Sequence, residues 1–299
     1  MATVRAVRDT SEDALTALLL QRLARMAALG TTTVEVKSGY GLTTDDELKM
    51  LRAVHEAALM TDLTVVASFL GAHAIDPENP DYIEQTVNET LPAVAEEFPG
   101  ITCDAYCEKG AWSLDDTRGL FQAAADLGCP LRVHADQFNS LGMTPLAVEM
   151  GAVSVDHLEA TTAEDLERLA RSDTIGVVLP VCGFQVDDRY APARAFVDAG
   201  GALALATNYN PGSAPTPSMP FVIALADRRL GLSAAEAITA CTVNAARVLG
   251  LESELGTLET GKRADVQVLD CTDPRELAYE FAGAGPRLVL SGGRVVCQR

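Results

Sequence analysis

Leu131-Arg-Val-His134 and Ser154-Val-Asp-His157 are short β-rich runs separated by a longer helical pattern, and each ends on a histidine. A strand, a helix and a second strand in that order are the unit from which parallel sheets are assembled. The alternation continues on both sides. Thr32–Ser38, Leu63–Phe69 and Ile101–Tyr106 precede the pair, while Ile175–Leu179 and Ala202–Thr207 follow it, giving seven strand candidates. Ser11, Thr44 and Ser113 each place a capping oxygen ahead of acidic residues that suit a helix dipole. Gly30, Gly128 and Gly200 close helices just before strands. A helix stands ahead of the first run, so the chain opens on an element that would follow an earlier strand. Seven strands plus that one make the closed barrel number, and the expected fold is α/β, a (β/α)8 TIM-type barrel missing its first strand.

Beyond Thr207 the pattern changes. Helices are expected near Phe221–Leu230, Ser233–Ala240 and Asn244–Leu249, then strands at Val266–Leu269, Arg287–Ser291 and Arg294–Val296. The last two are joined by Gly292-Gly293, a two-residue hairpin signal. Residues 1–250 are thus expected to form the incomplete barrel (strands 2–8), and 251–299 the remnant of a small β-sandwich appendage.

Of the 299 residues, 48% are hydrophobic and 22% charged, with no apolar run long enough to span a membrane. The start, Met1-Ala-Thr-Val-Arg, has no apolar stretch behind its charges, so no signal peptide is expected. A net charge of −19 argues against nucleic acid and anionic membranes and leaves a small molecule as the partner. Seven scattered cysteines, an odd number, suit a reducing, cytoplasmic setting. Cys103 and Cys107 stand four apart without a second pair and read as buried thiols, not as a zinc knuckle.

In β/α barrels the reacting groups stand at the C-terminal ends of strands. Here those ends run into Lys37-Ser-Gly-Tyr-Gly41, Gly71-Ala-His73, His134-Ala-Asp-Gln137, Asp156-His157 and Thr207-Asn-Tyr-Asn-Pro-Gly-Ser213. Three of the four histidines lie there; the fourth, His55, falls mid-helix and reads as structural. One such ring is as readily a hydrogen-bonded rim residue, but three on one face point to a bound metal and an activated water.

Taken together, Ser38-Gly-Tyr-Gly-Leu42, Phe69-Leu-Gly-Ala-His73, Asp104-Ala-Tyr-Cys-Glu108, His134-Ala-Asp-Gln137, Ser154-Val-Asp-His-Leu158 and Asn210-Pro-Gly-Ser213 resemble the imidazolonepropionases of the amidohydrolase superfamily, from about Val4 to the end. The resemblance implies an amidohydrolase barrel that hydrolyses the cyclic amide of 4-imidazolone-5-propanoate to N-formimidoyl-L-glutamate in histidine degradation. It implies one metal, zinc or iron. His134 matches a metal ligand, and Tyr40, His73 and Gln137 match substrate-binding positions. His157 matches the histidine beside the metal, a candidate catalytic group with Gln137. Asn210, Gly212 and Ser213 match the loop that holds the substrate's polar end.

Two departures accompany it. No His-x-His occurs, so the family's first metal-binding pair and a substrate-binding arginine would lie upstream of Met1, and the β appendage would lose the strands it pairs with. Asn208 stands where the family's last strand presents aspartate; its amide oxygen can ligate a metal but cannot take a proton from water. Alternative readings are a degenerate, non-catalytic relative that acts as a binding or interaction protein, and an amidohydrolase for another cyclic amide. A homodimer is compatible with all of them.

Overall fold

The computed structural model describes residues 2–281 and 285–299. Seven strands form one parallel sheet in sequence order: β1 (Thr33–Lys37), β2 (Thr64–Ala72), β3 (Thr102–Cys107), β4 (Leu131–Ala135), β5 (Ser154–His157), β6 (Ile175–Val178) and β7 (Leu203–Leu205). All the expected strands are present and every neighbouring pair is parallel, as helical crossovers require. Among the described residues β1 and β7 are the sheet's edges.

β4 shows how the sheet sorts its side chains. Leu131, Val133 and Ala135 join the apolar core with Cys103, Ala105 and Val155, while Arg132 and His134 alternate to the other face. The register sets Asp104 beside Arg132, and His134 between Tyr106 and Asp156. Polar side chains from three strands therefore share the interior. On the far side, β6 and β7 give it Val177 and Ala204 instead.

Helix starts follow the expected capping, with one shift. Ser11 accepts from the Ala14 N–H and Ser113 from that of Asp116. In the helix Thr44–Met60 the cap is Thr43, one residue earlier than expected, because its hydroxyl serves the N–H of Asp46 three residues on. Thr44 instead turns its hydroxyl to Glu89 and Thr90. A further helix, Ala2–Asp9, buries Val4 and Val7 and precedes the helix Glu12–Ala28. β2 runs three residues past Phe69, through a register shift against β3, which brings its end directly to His73.

The stretch 251–299 holds β8 (Val266–Val268), β9 (Leu288–Ser291) and β10 (Arg294–Gln298), an antiparallel sheet in the order β10-β9-β8. It is docked against the barrel body. Val296 packs with Leu23 and Met26, the Ser291 hydroxyl donates to the Asp62 carbonyl, and Arg228 donates to the carbonyl of Ala278. Among the described residues no helix is long and apolar enough to cross a membrane. All seven cysteines are free thiols, and Cys103 and Cys107 are buried with Ala105 in the apolar core.

Candidate active site

The C-terminal ends of the strands open into one cavity of about 1520 Å³, and Tyr40, His73, His134, Gln137, His157, Asn208, Asn210, Gly212 and Ser213 all line it. The cavity also takes in the start of β1 and residues such as Val248 and Val266, so it runs along the open side of the sheet; within it the structure brings His134 close to His157, His73 to Tyr40, and Asn208 to Ser213. His55 lies elsewhere, exposed on the helix Thr44–Met60 with its ring 6.5 Å from that of Phe98. The rim is built from sharp turns: Asp136, His157, Leu158 and Asn208 have φ of 55°, 90°, 73° and 51°. Left-handed backbone is unfavourable for such residues and clusters where a fold holds side chains for function.

His134 Nδ1 lies 3.1 Å from the buried Asp104 carboxylate, whose other oxygen accepts from Lys37 Nζ at 2.7 Å. With Nδ1–H donated to a carboxylate, Nε2 is left with the free lone pair, the arrangement that second-sphere carboxylates impose on metal-binding histidines. Burial works against the charge on Asp104, but His134 and Lys37 more than offset it and hold its carboxyl well below the usual range. Lys37 is raised above the ordinary lysine value: burial opposes its charge, and Asp104 and Glu35 overcome that. Asp156 differs, burial pushing its pKa up despite the neighbouring cations. Deeper still, Arg132 Nη1 meets Glu35 at 2.5 Å and Lys37 Nζ meets the same carboxylate at 2.9 Å.

The two remaining histidines are opposites. His73 packs edge-on to Tyr40 with ring centres 4.7 Å apart; burial, then repulsion from His134, lowers its pKa to about 4, so it is neutral near pH 7. Its Nδ1 is buried without a hydrogen-bond partner. His157 sits with its ring centre 5.6 Å from that of His134, and its Nδ1 is 3.3 Å from the Glu159 carboxylate. Burial disfavours its charge, yet hydrogen bonding with Cys182 and Glu159 raises its pKa to about 10, so it is positive near pH 7.

Gln137 is fixed at both ends of its amide: the Tyr106 hydroxyl donates to its oxygen at 2.8 Å, and its nitrogen donates to Cys182 Sγ at 3.0 Å. In the loop after β7, Asn210 is spent on shaping the chain. Its oxygen accepts from the Gly212 and Ser213 N–H groups, both at 2.8 Å, and its nitrogen donates to the Asn208 carbonyl at 2.6 Å. Asn208 points its amide nitrogen toward Ser213 Oγ at 3.4 Å, leaving the oxygen, the one atom of that side chain able to ligate a cation.

Sequence reading placed Lys37 and Asp156 at strand ends and Asp104 in a family motif without giving them a role below His134, and it missed Glu159 and Cys182 beside His157. Charged residues two apart inside apolar strands, such as Glu35 and Lys37, were the available signal.

A family model described as amidohydrolase family matches residues 1–297. The chain is 44% identical to the imidazolonepropionase of Herpetosiphon aurantiacus, over 99% of the chain and 72% of that protein. It is 45% identical to the imidazolonepropionase of Rubrobacter xylanophilus, over 98% of the chain and 71% of that protein. Among solved structures, 5-methylcytosine deaminase of Klebsiella pneumoniae superposes with a TM-score of 0.79 at 17% identity, covering 98% of this chain and 77% of that one. That likeness concerns the fold.

Proposed function

This chain belongs to the imidazolonepropionase family of amidohydrolases, and on that premise we propose that it hydrolyses the ring amide of 4-imidazolone-5-propanoate to N-formimidoyl-L-glutamate. The observation that carries the reading is that the eight site residues at which the chain resembles this family line one cavity, together with Asn208, the position at which it departs. Water adds to the ring carbonyl carbon, the carbon–nitrogen bond breaks, and the departing nitrogen takes up a proton.

Family membership implies a metal, and the side chains can be tested for fitness to hold one. His134 has its Nδ1 committed to Asp104, and Asn208 has its amide oxygen free, so these two would be the ligands. Asp104 suits an orienting role better, since Lys37 already neutralises it. Asp156 stands with His134 and Asp104 in a buried group whose ligand atoms all lie within 4.8 Å of one another, and it is a further candidate ligand. A bound zinc or iron would polarise the carbonyl and lower the pKa of water.

The chain's own residues divide the remaining work. His157, positive near neutral pH, can stabilise the developing oxyanion or give a proton to the leaving nitrogen. His73, neutral, and Tyr40, whose pKa burial raises, offer an uncharged wall to the ring. Gln137 holds a fixed amide toward the imidazolone, and the 208–213 loop faces its propionate. Domain limits of 1–250 and 251–299 remain part of this proposal.

The test is incubation of the purified chain, supplied with zinc or ferrous iron, with 4-imidazolone-5-propanoate, and detection of formimidoylglutamate by mass spectrometry. A folded chain that retains metal yet forms no product would overturn the reading in favour of a non-catalytic relative. Product from a different lactam alone would favour another amidohydrolase.

A further inference from the structure

Tyr40 is carried between two glycines in Ser38-Gly-Tyr-Gly-Leu42, and that loop is gripped by two side chains from outside it. Glu47, in the first turn of the helix Thr44–Met60, is 1% exposed. Its carboxylate accepts from the N–H of Gly39 at 2.8 Å, Gly41 at 2.7 Å and Leu42 at 3.1 Å. Arg8, from the helix Ala2–Asp9, donates to the carbonyls of Gly41 at 2.8 Å and Leu42 at 3.2 Å. It also donates to the Asp76 carboxylate at 2.8 Å. Asp76 stands three residues past His73, so Arg8 ties the loop of Tyr40 to the loop of its ring partner.

The glycines make this grip possible. A Cβ on Gly41 would lie 2.6 Å from the Glu47 nitrogen, and one on Gly39, where φ is +114°, would lie 2.5 Å from the Leu70 carbonyl oxygen. Close approach is what brings three N–H groups onto one carboxylate. A buried carboxylate that served only its own helix would cap that helix; this one spends its hydrogen bonds on a neighbouring five-residue loop.

We propose that Glu47 is the positioning residue of the Tyr40 loop, with Arg8 as its outer brace, the pair fixing Tyr40 against His73 so that a planar heterocyclic substrate meets a preformed wall. The identity of the substrate rests on the hydrolase reading above; the grip does not.

The experiment compares Glu47→Gln, Glu47→Ala and Arg8→Ala with wild type, using Glu97→Ala, which breaks a surface pair with Arg52, as a control. Nitration of Tyr40 by tetranitromethane is followed by peptide mass spectrometry, with Tyr279, 79% exposed, as internal reference. Binding of 3-(imidazol-4-yl)propanoate, which lacks the scissile amide, and KM and kcat for imidazolonepropanoate complete the set. Glu47→Gln should speed Tyr40 nitration about five-fold, weaken analogue binding about ten-fold and raise KM with kcat within about two-fold, since preorganisation is lost while chemistry is kept. Arg8→Ala should move the same quantities less, and Tyr279 should not respond. Unchanged Tyr40 nitration in folded Glu47→Gln and Arg8→Ala overturns the proposal. If both Glu47 variants fail to fold, Arg8→Ala decides it. If wild type neither binds the analogue nor turns over substrate, the hydrolase reading falls, and nitration still decides the grip.

Discussion

Asn208 is where the chemistry is thinnest. Its amide oxygen is free to ligate, but no proton can be passed to it, and the general base it would replace normally contributes ~10²–10⁴-fold in rate. Asn208→Asp should therefore raise metal content at fixed free metal and raise turnover within that range, as read by elemental analysis and product formation. No change in either would place Asn208 away from the reacting water. A second contrast tests the strand-end criterion. His134→Ala should abolish metal retention, whereas the exposed His55→Ala should leave metal and activity unaltered and shift stability by no more than ~0.5 kcal/mol. Equal losses would mean that position on the rim does not select the functional histidines. The line-up along the cavity was legible because strand ends converge in this architecture wherever they stand in the sequence. The partners were not: Asp104 meets His134 thirty residues away through strand register, and Glu159 reaches His157 only because the chain turns left-handed between them.

Across elements, the ionic network that joins β1, β3 and β4 replaces an apolar filling on one side of the barrel interior. Glu35 bridges Lys37 and Arg132, and Arg132 extends its other nitrogen to the carbonyl of Val248 on the far helix. Burial raises the pKa of Glu35, but the two cations outweigh it and hold the group below its ordinary value of 4.5. A depressed carboxylate adds stability above its unfolded pKa and loses it as pH falls through the folded one. Melting temperature should thus drop as pH falls below about 4.5, and Glu35→Gln should flatten that dependence. The variant should also cost about 3 kcal/mol at neutral pH, the lower end for stranding one partner of a buried pair, since Lys37 keeps Asp104. A parallel pH profile for both proteins would show that the network titrates with something other than Glu35. Strand positions were readable from apolar runs of strand length, and helix starts from capping oxygens. Exact ends were not, because the β2 shift and the choice of Thr43 over Thr44 are settled by neighbours remote in sequence.

At the scale of the whole molecule, the seven-strand count was readable because each strand is bounded by its own helix, while closure is a property of edges that no single run reports. β1 and β7 each bond to one neighbour in the described sheet, and the cavity between them is lined by residues of both, from Thr33–Lys37 and Ala204–Asn208. A strand edge offers a row of unpaired N–H and C=O groups, ready to pair with another chain. The hydroxyls of Thr31, Thr33 and Thr64, buried at this side of the sheet without partners, add unmet polar demand. The 299-residue polypeptide expressed by itself should therefore self-associate through these edges, so that its melting temperature and sedimentation coefficient rise with protein concentration. A proline at Thr33, the first residue of β1, whose backbone N–H faces away from β2 because the ladder runs through Thr32, Val34, Val36 and Ser38, removes one donor from the open edge and should shift the population toward monomer, at a cost in stability. The measurement is sedimentation velocity across a hundred-fold range of concentration, about wide enough to resolve micromolar association. A monomer throughout, with a sharp melt that does not depend on concentration, would mean that the β1 and β7 edges are already protected by the chain's own side chains, with the 207–213 loop and the Arg25–Tyr209 contact above it as the first place to look.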